Sequence, residues 1–184
     1  MKEALRQELV DMAAADQVAA WALYEATRDD PVIKGQFVFL FPRHQLPVEY
    51  DTCETLNRAH GNRLAEVVEE HGWPGHRAVG EDGAAAAWLI LQHLDVDNEL
   101  RKRLLPRLET AVGAGDADPQ HLAAATDRVL LVEGHLQRYG THLCLVDGAH
   151  APVVGIENPD GLDARRAAIG LGTWDMYVEE CRAN

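Results

Sequence analysis

The sequence predicts a mainly α-helical bundle, a single domain over residues 1–184, with one small β-hairpin near the C-terminus. Three observations carry this expectation. Apolar residues recur at helical spacing through most of the chain. Glycine, proline and Asp/Thr capping signals fall between the periodic stretches. Strand-like alternation occurs around one short-range turn signal, Asp147-Gly148. A chain of 184 residues suits one domain that buries roughly 70% of its unfolded surface, so no disulfide or metal staple is needed for stability.

Taken in order, Leu5, Leu9, Met12, Ala19 and Leu23 mark one amphipathic helix over about 2–27. Pro31, Gly35, Pro42 and Pro47 then break the pattern. They punctuate the apolar run Phe37-Val38-Phe39-Leu40-Phe41, so residues 31–50 read as a Pro-rich insert: a short strand, or a lid or wall over a pocket. Asp51 with Glu54 starts a second helix whose buried stripe is Cys53, Leu56, Leu64 and Val67, and Gly72-Trp73-Pro74 ends it. Residues 83–94 form a very apolar third helix. A fourth, about 97–113, carries Leu100, Leu104, Leu108 and Val112, with Pro106 expected to kink or divide it. Asp118-Pro119 opens a fifth helix that ends near Gly134. The hairpin spans 141–154, with Pro152 placing its second arm at an edge. A helical segment follows Asp163, and Thr173 caps a last short helix.

Composition narrows the partners. Seventeen Lys and Arg against thirty Asp and Glu give a net charge of −13, a field that repels phosphate backbones and anionic headgroups. A small-molecule substrate is the expected partner, not nucleic acid or membrane, with a homodimer left open. Cys53, Cys144 and Cys181 are odd in number and lack a CxxC pair, so reduced thiols are expected. Met1-Lys2-Glu3 leads at once into acidic amphipathic sequence, unlike a signal peptide, and Ala84 to Leu91 is too short to span a bilayer. The expected location is the cytoplasm.

Several polar residues stand where a plain bundle would not need them. His60 falls on the apolar stripe of the second helix, as a core histidine or as a ligand or acid–base group. Gln92 and His93 follow eight consecutive apolar residues, and a helix apolar all round is buried all round, so its polar end points to an internal polar site. Asp127 and Arg128 lie among Leu122, Val129, Leu130, Leu131 and Val132, with His135 further along the Asp127 face. They read either as an ion pair or as a carboxylate that orients a histidine. Gln137-Arg138-Tyr139-Gly140-Thr141-His142 concentrates amide, guanidinium, phenol, hydroxyl and imidazole at a helix-to-strand junction. No GxGxxG, P-loop, HExxH or GxSxG motif is present, nor the paired ExxH pattern of a di-iron bundle.

The succession Gly72-Trp73-Pro74, Val79 to His93, Thr126-Asp127-Arg128, Gln137 to Thr141, and Glu157 to Leu171, with Asp16-Gln17 in the first helix, resembles a bacterial family of small proteins catalogued as a domain of unknown function. The resemblance covers about 51–177 and the first helix. It implies a shared fold and brings no reaction with it. His60, His135 and His142 look like departures from the family's usual residues, and the 31–50 insert looks like an addition, as in a specialised, biosynthetic member.

Three functions are therefore expected from different classes. The first is an enzyme using histidine/carboxylate acid–base chemistry on a small molecule, of isomerase, cyclase, lyase or hydrolase type and with no cofactor. His93, His60, Asp127 and Tyr139 would be catalytic, and Gln92, Arg128, His135, Gln137, Arg138 and Thr141 would bind substrate. The second is a metalloenzyme holding a divalent transition metal on His60, His93, His135 and His142. The third is a non-catalytic ligand- or partner-binding module. A serine or cysteine nucleophile is not expected, because no cysteine lies beside an activating basic residue.

Overall fold

Seven α-helices and one two-stranded hairpin make up the main regular structure among the described residues, which are 2–30, 33, 42–95, 97–146 and 149–183 of this computed structural model. The apolar run 37–41 and the Asp147-Gly148 turn lie outside them. Of the Pro-rich insert, the described part includes a buried Ile33, a 3-10 turn at Arg43–Gln45 and the first turn of the second helix. No described helix is long and apolar enough to cross a membrane. The chain divides into two compact units, Met1–Ala117 and Asp118–Asn184.

The first unit holds α1 (Glu3–Thr27), α2 (Glu49–His71), α3 (His76–His93) and α4 (Asn98–Gly113). On α1 the buried positions are Leu9, Ala13, Asp16, Ala19, Leu23 and Thr27. Their three- and four-residue spacing is a single helical stripe. α2 buries Cys53, Gly61, Leu64, Ala65, Val67 and Val68 and stops at Gly72. α3 begins at His76 rather than near 83, because a helical turn precedes the apolar rod; Gly80, at φ 75° and ψ 176°, breaks the path between them. Asp97 caps α4 by accepting from Leu100 N, and Pro106 does not divide the helix.

Two contacts fix the α1–α3 register. Lys2 N donates to Ala78 O at 2.8 Å and Arg6 Nε to Asp82 Oδ1 at 2.8 Å. Both partners stand 76 positions further along the chain, so the helices run parallel. The same offset, carried three turns on, sets Asp16 level with Gln92 and His93. α2 runs the other way: its N-terminal Cys53 packs on Ala19 and Leu23, with Tyr50 and Leu56 beside them, while His60 meets Asp16.

The second unit holds α5 (Pro119–Val132), β1 (Leu143–Val146), β2 (Ala149–Pro152), α6 (Leu162–Ala168) and α7 (Trp174–Ala183). Asp118 caps α5 through Gln120 N. The strands are antiparallel, with Leu143 opposite Pro152 and Val146 opposite Ala149. Thr173 Oγ1 accepts from Met176 N at 3.3 Å, the cap expected for α7.

Candidate functional site

Asp16 is a fully buried carboxylate of the first unit. Its side chain has no exposed surface, because it occupies a core position of the α1 stripe between Ala13 and Ala19. Oδ1 lies 2.7 Å from Nδ1 of His60, whose side chain is 15% exposed. An imidazole that donates Nδ1–H to a carboxylate keeps its Nε2 lone pair, so this contact favours the Nδ1–H tautomer. The other carboxylate oxygen, Oδ2, is buried and has no hydrogen-bond partner among the described residues. Burial lifts Asp16 above the ordinary carboxylate pKa, opposed by the His60 hydrogen bond and by the charges of His60 and His93.

The helices around Asp16 meet closely. Gly61, next to His60, faces Leu94, next to His93: a Cβ on Gly61 would stand 2.3 Å from Leu94 Cδ1. His93 ends α3 and is half-buried; its neighbour Gln92 has a buried Oε1 with no hydrogen-bond partner among the described residues. Arg101, fully buried, donates to Leu91 O at 3.3 Å and to Asp95 Oδ1 at 2.8 Å, which closes the C-terminal end of α3. Cys53 lies on the same α2 face. Burial raises its thiol pKa and the Asp16 charge adds to this, so it is a poor nucleophile. An open groove of about 530 Å³ lies along α1, lined by Gln17, Val18, Ala20, Trp21 and Tyr24.

The second unit gathers most of the other residues that the sequence singles out, in a different arrangement. Asp127 accepts from Arg138 N at 2.7 Å, Tyr139 N at 2.9 Å, Thr141 N at 2.9 Å and Thr141 Oγ1 at 2.9 Å. Burial raises its pKa, opposed by these four donors. Gln137, fully buried, donates to His142 O at 3.0 Å and accepts from His142 N at 2.8 Å. Arg166 donates to Tyr139 O and Gly172 O, both at 2.8 Å, and Tyr177 Oη to Thr141 O at 2.7 Å. Gly140, at φ 69°, is required twice over, since a Cβ there would also meet Trp174 Nε1 at 2.6 Å. Asp127, Gln137 to Thr141 and the paired Arg165-Arg166, far apart in sequence, are thus tied together through the backbone of one turn.

A model of DUF6624, a family of unknown function, matches residues 3–182. The chain belongs to the DUF6624 family. No curated protein and no solved structure matches it.

In this DUF6624 chain the predicted site residues therefore fall in two groups. His60, His93 and Gln92 gather at the level of Asp16 in the first unit. Asp127, Gln137, Tyr139 and Thr141 are buried in the turn of the second, where Arg128 and His142 are also buried and Arg138 and His135 are exposed. Thr141 Oγ1 lies 3.1 Å from His142 Nδ1, linking that imidazole to Asp127. Among the described residues no group of three or more His, Cys, Asp or Glu is placed to share a metal ion. The carboxylate found against His60 is Asp16, not the Asp127 that sequence reasoning chose. Its signal was present: an aspartate three residues after Ala13 and three before Ala19 is a charge on the buried stripe.

Proposed function

We propose that this protein is an acid–base enzyme acting on a small organic molecule, with His60 as the proton-transfer group and Asp16 as the carboxylate that orients it. The observation carrying this reading is the 2.7 Å contact between a fully buried carboxylate and Nδ1 of a partly exposed imidazole. A buried charge is costly, and a fold that needed only a core residue here would use an apolar one. Fixing one ring nitrogen leaves Nε2 as a base in a known orientation, and a positioned base of this kind contributes about 10²–10⁴-fold to rate. The reaction classes that such a group serves without a bound cofactor are isomerisation, cyclisation, elimination and hydrolysis. The free thiols suit a reducing compartment, which supports the cytoplasm as its location.

A panel of carbonyl compounds and esters incubated with the protein in D₂O and followed by proton NMR tests this. Turnover or deuterium incorporation is expected with the wild type. His60→Gln should lower it by at least about 100-fold while leaving the circular dichroism spectrum unchanged. A His60→Gln protein that works at the wild-type rate would overturn the assignment.

A further inference from the structure

α1 carries a second stripe that the core does not use. Asp11, Ala14, Val18, Trp21, Glu25 and Arg28 recur at alternating three- and four-residue spacing. They lie on the side of the helix opposite its buried positions, which run from Leu9 to Thr27. All six are exposed, Val18 by 73% and Trp21 by 64%. Tyr24, itself exposed, lies against Trp21 with ring centroids 5.3 Å apart. Large apolar side chains grouped on a surface mark an interface, and Trp and Tyr are residues that interface cores favour. Alternation of three and four is the seam of a two-helix coiled coil, in which one such stripe packs on another.

We propose that this face of α1 is the interface of a homodimer, in which the α1 helices of two copies pack antiparallel about a two-fold axis. Charge selects both the occupant and the direction. With the axis level with the midpoint between Val18 and Trp21, Val18 of each copy meets Trp21 of the other. The same register sets Ala14 opposite Glu25 and Asp11 opposite Arg28, so opposite charges meet at both ends of the seam. A parallel pair would set Asp11 on Asp11 and Arg28 on Arg28, which repel. Both end groups have capacity left for this contact. Arg28 Nη1 holds Glu25 of its own chain at 3.1 Å and Nε lies 3.7 Å from Asp29, and a guanidinium has further N–H donors. Asp11 accepts from Gln7 at Oδ1, 2.8 Å away, and its Oδ2 is a second acceptor. A two-fold contact is closed, so assembly stops at two copies. The seam from Asp11 to Arg28 is about 27 Å long, small for a stable interface, so the dimer is a weak one of micromolar affinity. Because this face lies opposite Asp16, the dimer is independent of the acid–base reading.

Sedimentation equilibrium of the chain over about 2–200 µM, in about 0.15 M salt to screen the repulsion between acidic copies, tests this. Wild type is expected to pass from monomer to dimer over that range. Trp21→Ser should weaken dimerisation by at least about 30-fold with an unchanged circular dichroism spectrum, since the position is exposed. Asp11→Arg and Arg28→Asp, each alone, should weaken it by about 10-fold, because each sets like charges together at both ends. Mixed in equal amounts, the two charge variants should pair with each other about as tightly as wild type pairs with itself, since every end contact is then attractive. A monomer at every concentration overturns the proposal and leaves the face to a partner of another kind. A dimer as tight in Trp21→Ser as in wild type overturns the choice of face. Charge variants that pair with themselves as well as with each other overturn the antiparallel register.

Discussion

Asp16 and Asp127 are both buried carboxylates, and their surroundings give them opposite uses. Asp127 meets four donors, three of them backbone N–H groups of one turn. Removing the carboxylate strands those donors in a buried place, at about 1–3 kcal/mol for each one left unpaired. Asp127→Ala should therefore cost about 3–5 kcal/mol in total, lowering the melting temperature by about 10 °C or more in a scanning calorimeter. A shift under about 3 °C would mean that water reaches the turn. Asp16 has one partner and one orphaned oxygen, so the fold gains little from its charge. Asp16→Asn should leave the melting temperature unchanged or raise it by a few degrees while lowering activity about 10²–10⁴-fold. Nitrogen-15 NMR reads the cause: His60 should be the Nδ1–H tautomer in the wild type and revert towards Nε2–H in the variant. A wild-type His60 protonated at Nε2 would remove Asp16 as its orienter. Nothing in residue type separates the two aspartates; only their neighbours do, and sequence reasoning chose Asp127 for its apolar surroundings, Leu122 and Val129 to Val132, and for His135 on its face.

Among elements, the site depends on how near α2 comes to α3. Gly61 permits the approach, and its replacement by alanine sets two effects against each other. Alanine gains about 1 kcal/mol in helix propensity, whereas forcing a methyl group to 2.3 Å from Leu94 Cδ1 overpacks the junction at about 1–3 kcal/mol. Overpacking should win. Gly61→Ala is expected to lose about 1 kcal/mol in a denaturant titration and to weaken catalysis by displacing His60. Gly61→Ala combined with Leu94→Ala should lose less than the two single losses added, by about 1 kcal/mol. Strict additivity would show that the helices do not meet there. Much of the element order was legible, because apolar periodicity and caps such as Asp118-Pro119 and Thr173 act within a few residues. The start of α3 was not: the turn at His76–Val79 has no apolar stripe of its own, and Gly80 hides the break. Nor was the parallel alignment of α1 and α3, which is a tertiary register held by groups 76 residues apart.

At the scale of the molecule, the densest run of polar residues and the buried carboxylate–histidine contact lie in different units. Gln137 to Thr141 and Arg165-Arg166 form a hydrogen-bonded turn, whereas the Asp16–His60 contact lies in the other unit. A rich polar motif signals a demanding backbone as readily as a site, whereas a histidine on an apolar stripe, here His60, meets a buried carboxylate. The same two buried carboxylates also shape the response of the whole fold to pH. Burial raises the folded pKa of Asp16 and of Asp127 above their unfolded values. Between the two values the folded state holds more protons than the unfolded state, so stability is fully present below the unfolded pKa and falls as pH rises through the folded one. Glu8 and Asp82 are shifted downward by Arg63 and Arg6 and act in the opposite direction. Both pairs are largely exposed and screened by salt, so their effect is small. The net charge of −13 adds repulsion of the same sign as the buried groups. In about 0.15 M salt the melting temperature should therefore decline as pH rises above the ordinary carboxylate pKa of about 4. Asp16→Asn keeps the general repulsion but removes one buried titration, so its decline should be shallower than the wild type's. Parallel curves would show that Asp16 titrates alike in both states, and a melting temperature that climbs over this range would hand control to the exposed ion pairs.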